Sequence, residues 1–132
     1  MKKKIKEELK KLGIAIVYLF GSKACGKTSP LSDVDLGFVL KNFCPEEDTS
    51  ILYNRLFELF SKIYPNYKLD LVFLQKAPLS LQYMAIKYSK ILFEQDPLFT
   101  VEYECRVIKE YIDFVPILEM YDNVMFEKYV PN

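Results

Sequence analysis

The feature that most constrains the fold is an uninterrupted run of seven apolar residues, Ile14–Phe20, enclosed between Gly13 and Gly21. The run is rich in β-branched and aromatic residues and has a glycine at each end, which together favour a strand over a helix. Because polar residues do not alternate with apolar ones, both faces of this strand are predicted to be covered. A bilayer span needs about 20 apolar residues, so no membrane helix is expected here.

The flanking segments alternate between helical and strand patterns. Residues 2–12 have the amphipathic spacing of a helix that ends at Gly13, and Asp33–Leu40 has the composition of a second strand. The later elements are predicted as a helix at 48–64, a strand at 67–74, a helix at 78–88 and a strand at 91–94. This order indicates an α/β (α+β) fold, in which helices flank a small mixed sheet and residues 1–132 form one domain.

The tail, about residues 97–129, has a helical pattern and is unusually apolar. One apolar seam starts at Val101 and a second at Tyr103, so the two seams lie on roughly opposite sides of the helix. A helix on a sheet buries one side, which leaves the other as a candidate surface for a partner or for oligomer formation. The alternative is that Pro116 breaks the tail into two helices that cover each other's faces.

The composition excludes several kinds of chemistry. The chain has no histidine, which removes histidine-bearing zinc sites, Ser-His-Asp and Cys-His nucleophiles and the usual general base near neutral pH. Any catalysis therefore depends on carboxylates, hydroxyls, lysines or a bound metal. The three cysteines show no paired spacing, and no signal-peptide pattern opens the sequence, so a cytoplasmic protein with reduced thiols is expected.

A net charge of zero conceals a gradient along the chain. Residues 1–30 carry +6, residues 31–93 carry 0 and residues 94–132 carry −6. Without an overall basic excess, stable binding of nucleic acid is not expected. The gradient leaves room for a phosphate-bearing small molecule at the basic end and a basic partner at the acidic end, although solvated helix faces would give the same pattern.

The glycine-containing segment after the apolar run matches one phosphate-binding motif. Gly21–Thr28 fits GxxxxGK[ST], in which the backbone and Lys27 would contact the phosphates of a P-loop phosphotransferase. Pro30 would end the helix that such a loop opens, and no later apolar strand ends in the Asp that usually accompanies it. The P-loop interpretation stays open as an alternative.

The same glycine begins a second pattern, in which Gly21-Ser22 is followed by ten residues and then by Asp33-x-Asp35. On a strand, Asp33 and Asp35 share one face. Two carboxylates with no basic residue beside them in the sequence repel each other, and a divalent cation relieves that repulsion. Oxygen ligands of this kind favour Mg²⁺ or Mn²⁺.

A third carboxylate is available on a later strand. Asp70 is the only acid within an apolar stretch, and burying it without a partner would be costly, so it is expected at a strand end that faces a site. Gly37 continues the face of the first two carboxylates and is expected to leave them uncrowded. The competing interpretation is that Ser32 and Asp35 form a helix-capping box, but the short glycine-containing run that follows favours a strand.

The GSx10DxD element (Gly21, Ser22, Asp33 and Asp35), with Asp70 on a later strand, resembles the signature of the polymerase-β-like nucleotidyltransferases. The small size and the order of elements are similar to those of the minimal nucleotidyltransferase (MNT) antitoxins, which partner HEPN-domain RNase toxins. The resemblance therefore implies the polymerase-β-like fold.

This resemblance covers about residues 5–125 and implies a Mg²⁺-dependent transfer of AMP from ATP to a tyrosine of the toxin, which silences the RNase. By the same resemblance, the catalytic and metal-binding residues are Asp33, Asp35 and Asp70, and the nucleotide-binding residues are Gly21, Ser22 and Lys27. The family's loop usually has the sequence G-S-x-A-R-G. Cys25 stands here in the place of that Arg, and Lys23 or Lys27 is the cation available to replace it.

Two other functions share these sequence features. A nucleotidyltransferase that acts on a small molecule would use the same residues, but it usually has a larger helical domain to shape the acceptor pocket. A non-catalytic binding antitoxin would block its partner with the apolar tail and would not need the carboxylates.

Overall fold

The structure, a computed structural model, describes residues 1–20 and 33–129, with side chains as far as Met125. The helices are α1 (Lys3–Lys11), α2 (Ser50–Ile63), α3 (Leu79–Tyr88) and α4 (Pro97–Tyr129). The strands are β1 (Ile14–Phe20), β2 (Asp33–Leu40), β3 (Lys68–Phe73) and β4 (Lys90–Glu94), and one turn of 3-10 helix follows β3 at Leu74–Lys76.

The four strands form one mixed sheet in the order β3-β2-β1-β4. β1 is antiparallel to both of its neighbours, whereas β2 and β3 are parallel. Parallel neighbours require a crossover connection, and α2 lies in the segment that joins these two strands. β1 occupies the centre and six of its seven residues are buried, which confirms the prediction that both of its faces are covered.

Helices cover the sheet on both sides. On one face, Phe38 of β2 packs edge-on against Phe60 of α2 with ring centroids 5.5 Å apart, and α1 adds buried apolar contacts to the same cluster. On the other face, Tyr18 of β1 is buried together with Ala85 of α3 and Tyr103 of α4. The alternation of side chains along β2 therefore sends successive residues into two separate cores.

Hydrogen bonds from two buried tyrosines hold α4 against the sheet and α3. The Tyr18 hydroxyl donates to Oε1 of Glu104 on α4 at 2.7 Å, and the Tyr103 hydroxyl donates to Oε1 of Gln82 on α3 at 2.8 Å. Burial raises the pKa of both tyrosines, and the bond to the Glu104 carboxylate raises that of Tyr18 further. Both hydroxyls therefore remain protonated donors at every ordinary pH.

The predicted strands β1 and β2 are confirmed at their boundaries, and α1 ends as predicted before Gly13, whose φ is +77°. The competing interpretation of Ser32 and Asp35 as a helix-capping box is wrong, because Asp35 lies within β2. Elsewhere the predicted and observed boundaries differ by at most two residues. Fraying ends account for differences of this size.

α4 is one continuous helix of 33 residues, so a break at Pro116 is the wrong alternative. Pro116 is exposed, and water can therefore bind the carbonyl that loses its helical donor. The helix buries one side, as predicted for a helix on a sheet: the Tyr103 seam is buried at Tyr103 and Val107, while Val101 of the other seam is exposed. Although α4 is about 50 Å long, no helix in the described residues is both long and apolar enough to cross a membrane.

Candidate active site

Three aspartates lie on one face of the sheet, where β2 and β3 begin side by side. The parallel register pairs Asp35 with Asp70, and Asp33 lies two residues before Asp35 on β2. Val39 of β2 and Val72 of β3 are an even number of residues from these aspartates on their strands, so they point to the same face. Both pack in the core beneath α3 and α4. The three carboxylates therefore belong to the face that α3 and α4 cover, beyond the edge of that core.

The local electrostatics disfavour the ionised form of Asp35. Partial burial, followed by the negative charges of Asp70 and Asp33, raises the pKa of the Asp35 carboxyl above its ordinary value. Asp33 and Asp70 are exposed, as expected for acids near the start of a strand. A cation placed among these carboxylates would remove the repulsion and restore the ionised form.

The donor set suits a magnesium–nucleotide complex better than a metal site made of protein alone. Within the described parts of the chain, no three acidic or cysteine side chains lie close enough together to hold a metal ion. Mg²⁺ is commonly held by only one or two carboxylates together with the phosphates of a substrate. The register pair of Asp35 and Asp70 fits that requirement, because both groups offer oxygen ligands from adjacent strands.

Gly37 has a role that differs from the one expected from the sequence. The sequence predicts open space beside the carboxylates, but a Cβ at this position would lie 3.0 Å from both the Leu74 Cδ1 and the Phe20 Cε1 atoms. The absent side chain therefore makes room for Leu74 and Phe20 to pack across β2. Phe20 is also the antiparallel register partner of Asp35.

Sequence reasoning missed a basic residue in this cluster. Lys68 is the register partner of Asp33, although it is far from Asp33 in sequence. The sequence does contain a signal for this placement. Lys68 and Asp70 are two residues apart on one strand, so their side chains share a face. The site is therefore not purely acidic at its outer edge.

Gly21, Ser22 and Lys27 lie outside the described residues, and so does Cys25. Their expected contacts with nucleotide phosphates remain predictions. The segment that contains them joins Phe20, the last residue of β1, to Asp33, the first residue of β2. It is therefore connected at both ends to residues next to Asp35 in the sheet. The carboxylate part of the predicted site is thus described, and its phosphate-binding part is not.

A family model described as polymerase beta, nucleotidyltransferase matches residues 3–98 of the chain. That span contains all three aspartates and every strand of the sheet. Comparison with curated proteins gives no match.

Solved structures of toxin–antitoxin complexes contain similar chains. A chain from a toxin–antitoxin structure with AMP-PNP is 21% identical with a TM-score of 0.66, and the match covers 91% of this chain and 98% of that one. A chain from the complex of a tri-AMPylated Shewanella oneidensis HEPN toxin with an MNT antitoxin is 20% identical with a TM-score of 0.62, covering 95% and 99%. A chain from an MntA–HepT toxin–antitoxin structure is 19% identical with a TM-score of 0.62, covering 94% and 99%. At these identities the similarity shows a shared fold.

Proposed function

Because the chain belongs to the polymerase β nucleotidyltransferase family, we propose that it is an antitoxin that transfers AMP from ATP to a tyrosine of a HEPN-domain RNase toxin. Modification of that tyrosine would neutralise the toxin. Exposed free thiols at Cys44 and Cys105 support action in the reducing cytoplasm.

The observation that carries the catalytic part of the proposal is the carboxylate cluster at the start of β2 and β3. Asp35 and Asp70 are register partners, and Asp33 is on the same face. The raised pKa of Asp35 supports a site built for a positively charged ligand, since the fold holds negative charges together there at an electrostatic cost. The chain has no histidine, so these carboxylates are also the available acid–base groups of the site.

The proposed reaction needs few protein groups. The acceptor hydroxyl oxygen attacks the α-phosphorus of ATP in line with the bond to the β-phosphate, which breaks and releases pyrophosphate. Asp70 would accept the proton of the acceptor hydroxyl. Gly21, Ser22 and Lys27 would hold the β- and γ-phosphates through backbone N–H groups, a hydroxyl and a cation.

Asp35 and Asp70, with Asp33 on the same face, would hold Mg²⁺ only together with the nucleotide phosphates, because no three acidic side chains of the described residues lie close enough to hold the ion alone. The metal, when bound, neutralises the charge that develops on the phosphate oxygens during displacement. The carboxylates orient the nucleotide by fixing where its phosphates lie along the edge of the sheet.

The choice of a HEPN toxin as the acceptor rests on the similar solved structures. One contains an ATP analogue, AMP-PNP, and another contains a HEPN toxin that carries three AMP groups. These matches span 98% and 99% of the respective chains and 91% and 95% of this one, so the similarity extends beyond the residues 3–98 that the family model matches.

The experiment that tests this proposal combines the chain with ATP, Mg²⁺ and a HEPN-domain toxin. We expect the intact mass of the toxin to rise by whole AMP units and its RNase activity to fall in parallel. Peptide mapping is expected to place the added mass on tyrosine. A chain carrying Asp33→Asn and Asp35→Asn serves as the matched control, because it changes charge with little change in shape.

The control variant separates catalysis from simple blocking. If the double variant neither modifies nor silences the toxin, catalysis is required. If it silences an unmodified toxin as well as the wild-type chain does, the protein is a non-catalytic binding antitoxin and the proposal is wrong.

A further inference from the structure

The second half of α4 exposes an apolar surface that nothing in the described chain covers. Most side chains of residues 112–124 are exposed to solvent, among them Ile112 at 61% and Met120 at 67% exposure. The exposed large apolar residues of this stretch are Ile112, Phe114, Ile117, Met120, Tyr121 and Val124. An exposed apolar cluster of this size marks an interaction surface.

The same stretch is uniformly acidic. Residues 110–125, hereafter the acidic end of α4, contain Glu110, Asp113, Glu119 and Asp122 and no lysine or arginine. Two copies of this helix packed on each other would bring like charges together, which opposes association. The favourable occupant of this surface is therefore apolar and basic.

A surface of that description lies on the opposite side of the same chain. A groove of about 950 Å³ runs between α1 and α2, and Ile5, Leu59 and Ile63 form part of its apolar lining. These side chains are only partly buried, so the groove holds apolar area that a ligand could cover. A groove between two helices is a natural seat for the apolar face of a third.

The rim of the α1–α2 groove is predominantly basic. Lys2, Lys4, Arg55 and Lys62 line it, against the two acids Glu8 and Glu58, which leaves two net positive charges (four minus two). The groove thus offers apolar area inside a positive rim, and the acidic end of α4 offers apolar area among negative charges. The two surfaces are complementary in both respects.

The acidic end of α4 cannot fill the groove of its own chain. Tyr103 and Val107 fix α4 to the face of the sheet that α3 covers, whereas Leu9 of α1 and Leu56 of α2 belong to the core of the opposite face. The sheet therefore separates the two surfaces, and α4 is a continuous helix that does not fold back.

We propose that the acidic end of α4 docks in the α1–α2 groove of a second copy of this chain. One contact then covers both apolar surfaces and pairs opposite charges. Reciprocal docking about a two-fold axis gives a closed dimer, whereas one-way docking gives an open chain of copies. The dependence of the particle mass on protein concentration distinguishes these two arrangements. This proposal is independent of the nucleotidyltransferase activity.

Charge reversal on each surface, alone and together, tests the pairing. The α4 variant carries Glu110→Lys and Asp113→Lys, two exposed acids one turn apart on the same side of the helix as Phe114 and Ile117. The groove variant carries Arg55→Glu and Lys62→Glu, and the combined variant carries all four. We expect each reversal to weaken self-association by about tenfold or more, because two attractions become repulsions. The combined variant is expected to recover most of that loss. Light scattering and sedimentation over a range of concentrations measure the association.

A chain with Lys10→Glu and Lys41→Glu controls for net charge, because both lysines are exposed and neither lines the groove. Circular dichroism confirms that every variant is folded. A wild-type chain that stays monomeric at all concentrations overturns the proposal. So does a groove variant that behaves like the control, or a combined variant that recovers nothing. If the α4 variant keeps its self-association but no longer binds a protein partner, the acidic end belongs to that partner and the proposal is wrong.

Discussion

Replacing Asp35 by asparagine is expected to lower the rate of nucleotidyl transfer by at least about 100-fold to 1,000-fold, the range seen when one preorganised electrostatic group of a site is removed. Asp35 is the partly buried member of the carboxylate cluster, and it lies between Phe20 and Asp70 in the sheet register. The substitution keeps the shape of the side chain but removes the charge that would hold a magnesium–nucleotide complex. Single-turnover assays with saturating ATP and Mg²⁺ measure the rate directly.

The same substitution is expected to leave the metal-free chain as stable as the wild type or more stable. Burial and like charges raise the pKa of Asp35 in the folded state, so the folded chain binds a proton more tightly than the unfolded chain does. The free energy of unfolding therefore falls as the pH rises from the unfolded pKa of this group to its folded pKa. At neutral pH the wild-type chain has already lost this part of its stability. An asparagine side chain at this position carries no charge and avoids this loss, which thermal unfolding without metal will show.

A second acidic residue, Asp48, provides a control because its pKa is shifted in the opposite direction. Hydrogen bonds from Ser50 lower the pKa of Asp48, so this carboxylate contributes stability that is present above its unfolded pKa and is lost as pH falls. Asp48→Ala is expected to destabilise the chain slightly at neutral pH and to leave transfer activity unchanged. An Asp35→Asn chain that keeps full activity, or that is destabilised like Asp48→Ala, would show that Asp35 is an ordinary structural acid.

Phe38→Ala is expected to have the largest effect on stability, a loss of about 3–5 kcal/mol, as found for large-to-alanine changes in protein cores. Phe38 is fully buried on the face of β2 opposite Asp35. Its ring contacts Phe60 of α2 at 5.5 Å and Phe73 of β3 at 6.2 Å between centroids. Removing the ring leaves a cavity among three elements, and we expect the thermal midpoint to fall by more than about 10 °C.

Phe57→Ala is the matched control for this change, because Phe57 lies on the same helix as Phe60 but is 41% exposed. Its loss should be under about half of that seen for Phe38→Ala, since less apolar area leaves the core. Urea unfolding with an unchanged slope measures the difference in free energy. Equal losses for the two variants would contradict the assignment of Phe38 to the core face and, with it, the placement of the aspartates on the other face.

Local sequence patterns predicted the strands of the site because strand formation here depends on the order of apolar and polar residues within each segment. The apolar run Ile14–Phe20 can bury all of its side chains only as a strand covered on both faces. In Asp33–Leu40 the alternation of side chains along a strand sets which of them share a face. The pairing of Asp35 with Asp70 could not be predicted in the same way. It depends on the parallel register of β2 and β3, which the crossover through α2 and the packing of that helix determine.

Long-range packing also explains what the sequence failed to reveal. Nothing near Gly37 in the sequence indicates that Leu74 and Phe20 fill its vacant side-chain space, because they come from a different turn and a different strand. Lys68 meets Asp33 only in the folded register. Pro116 usually ends a helix, yet here it lies in an exposed part of α4 where water can satisfy the freed carbonyl.

The position of the transferred label tests the nucleotidyltransferase proposal most directly. The chain is incubated with Mg²⁺, the HEPN-domain protein and ATP labelled either at the α-phosphate or at the γ-phosphate. We predict that label from the α-phosphate appears on the toxin tyrosine and that label from the γ-phosphate leaves with pyrophosphate. Asp35→Asn is expected to slow the appearance of the α-label by at least about 100-fold. Transfer of the γ-label, insensitive to Asp35→Asn, would instead establish a phosphotransferase and contradict the proposed role of the carboxylates.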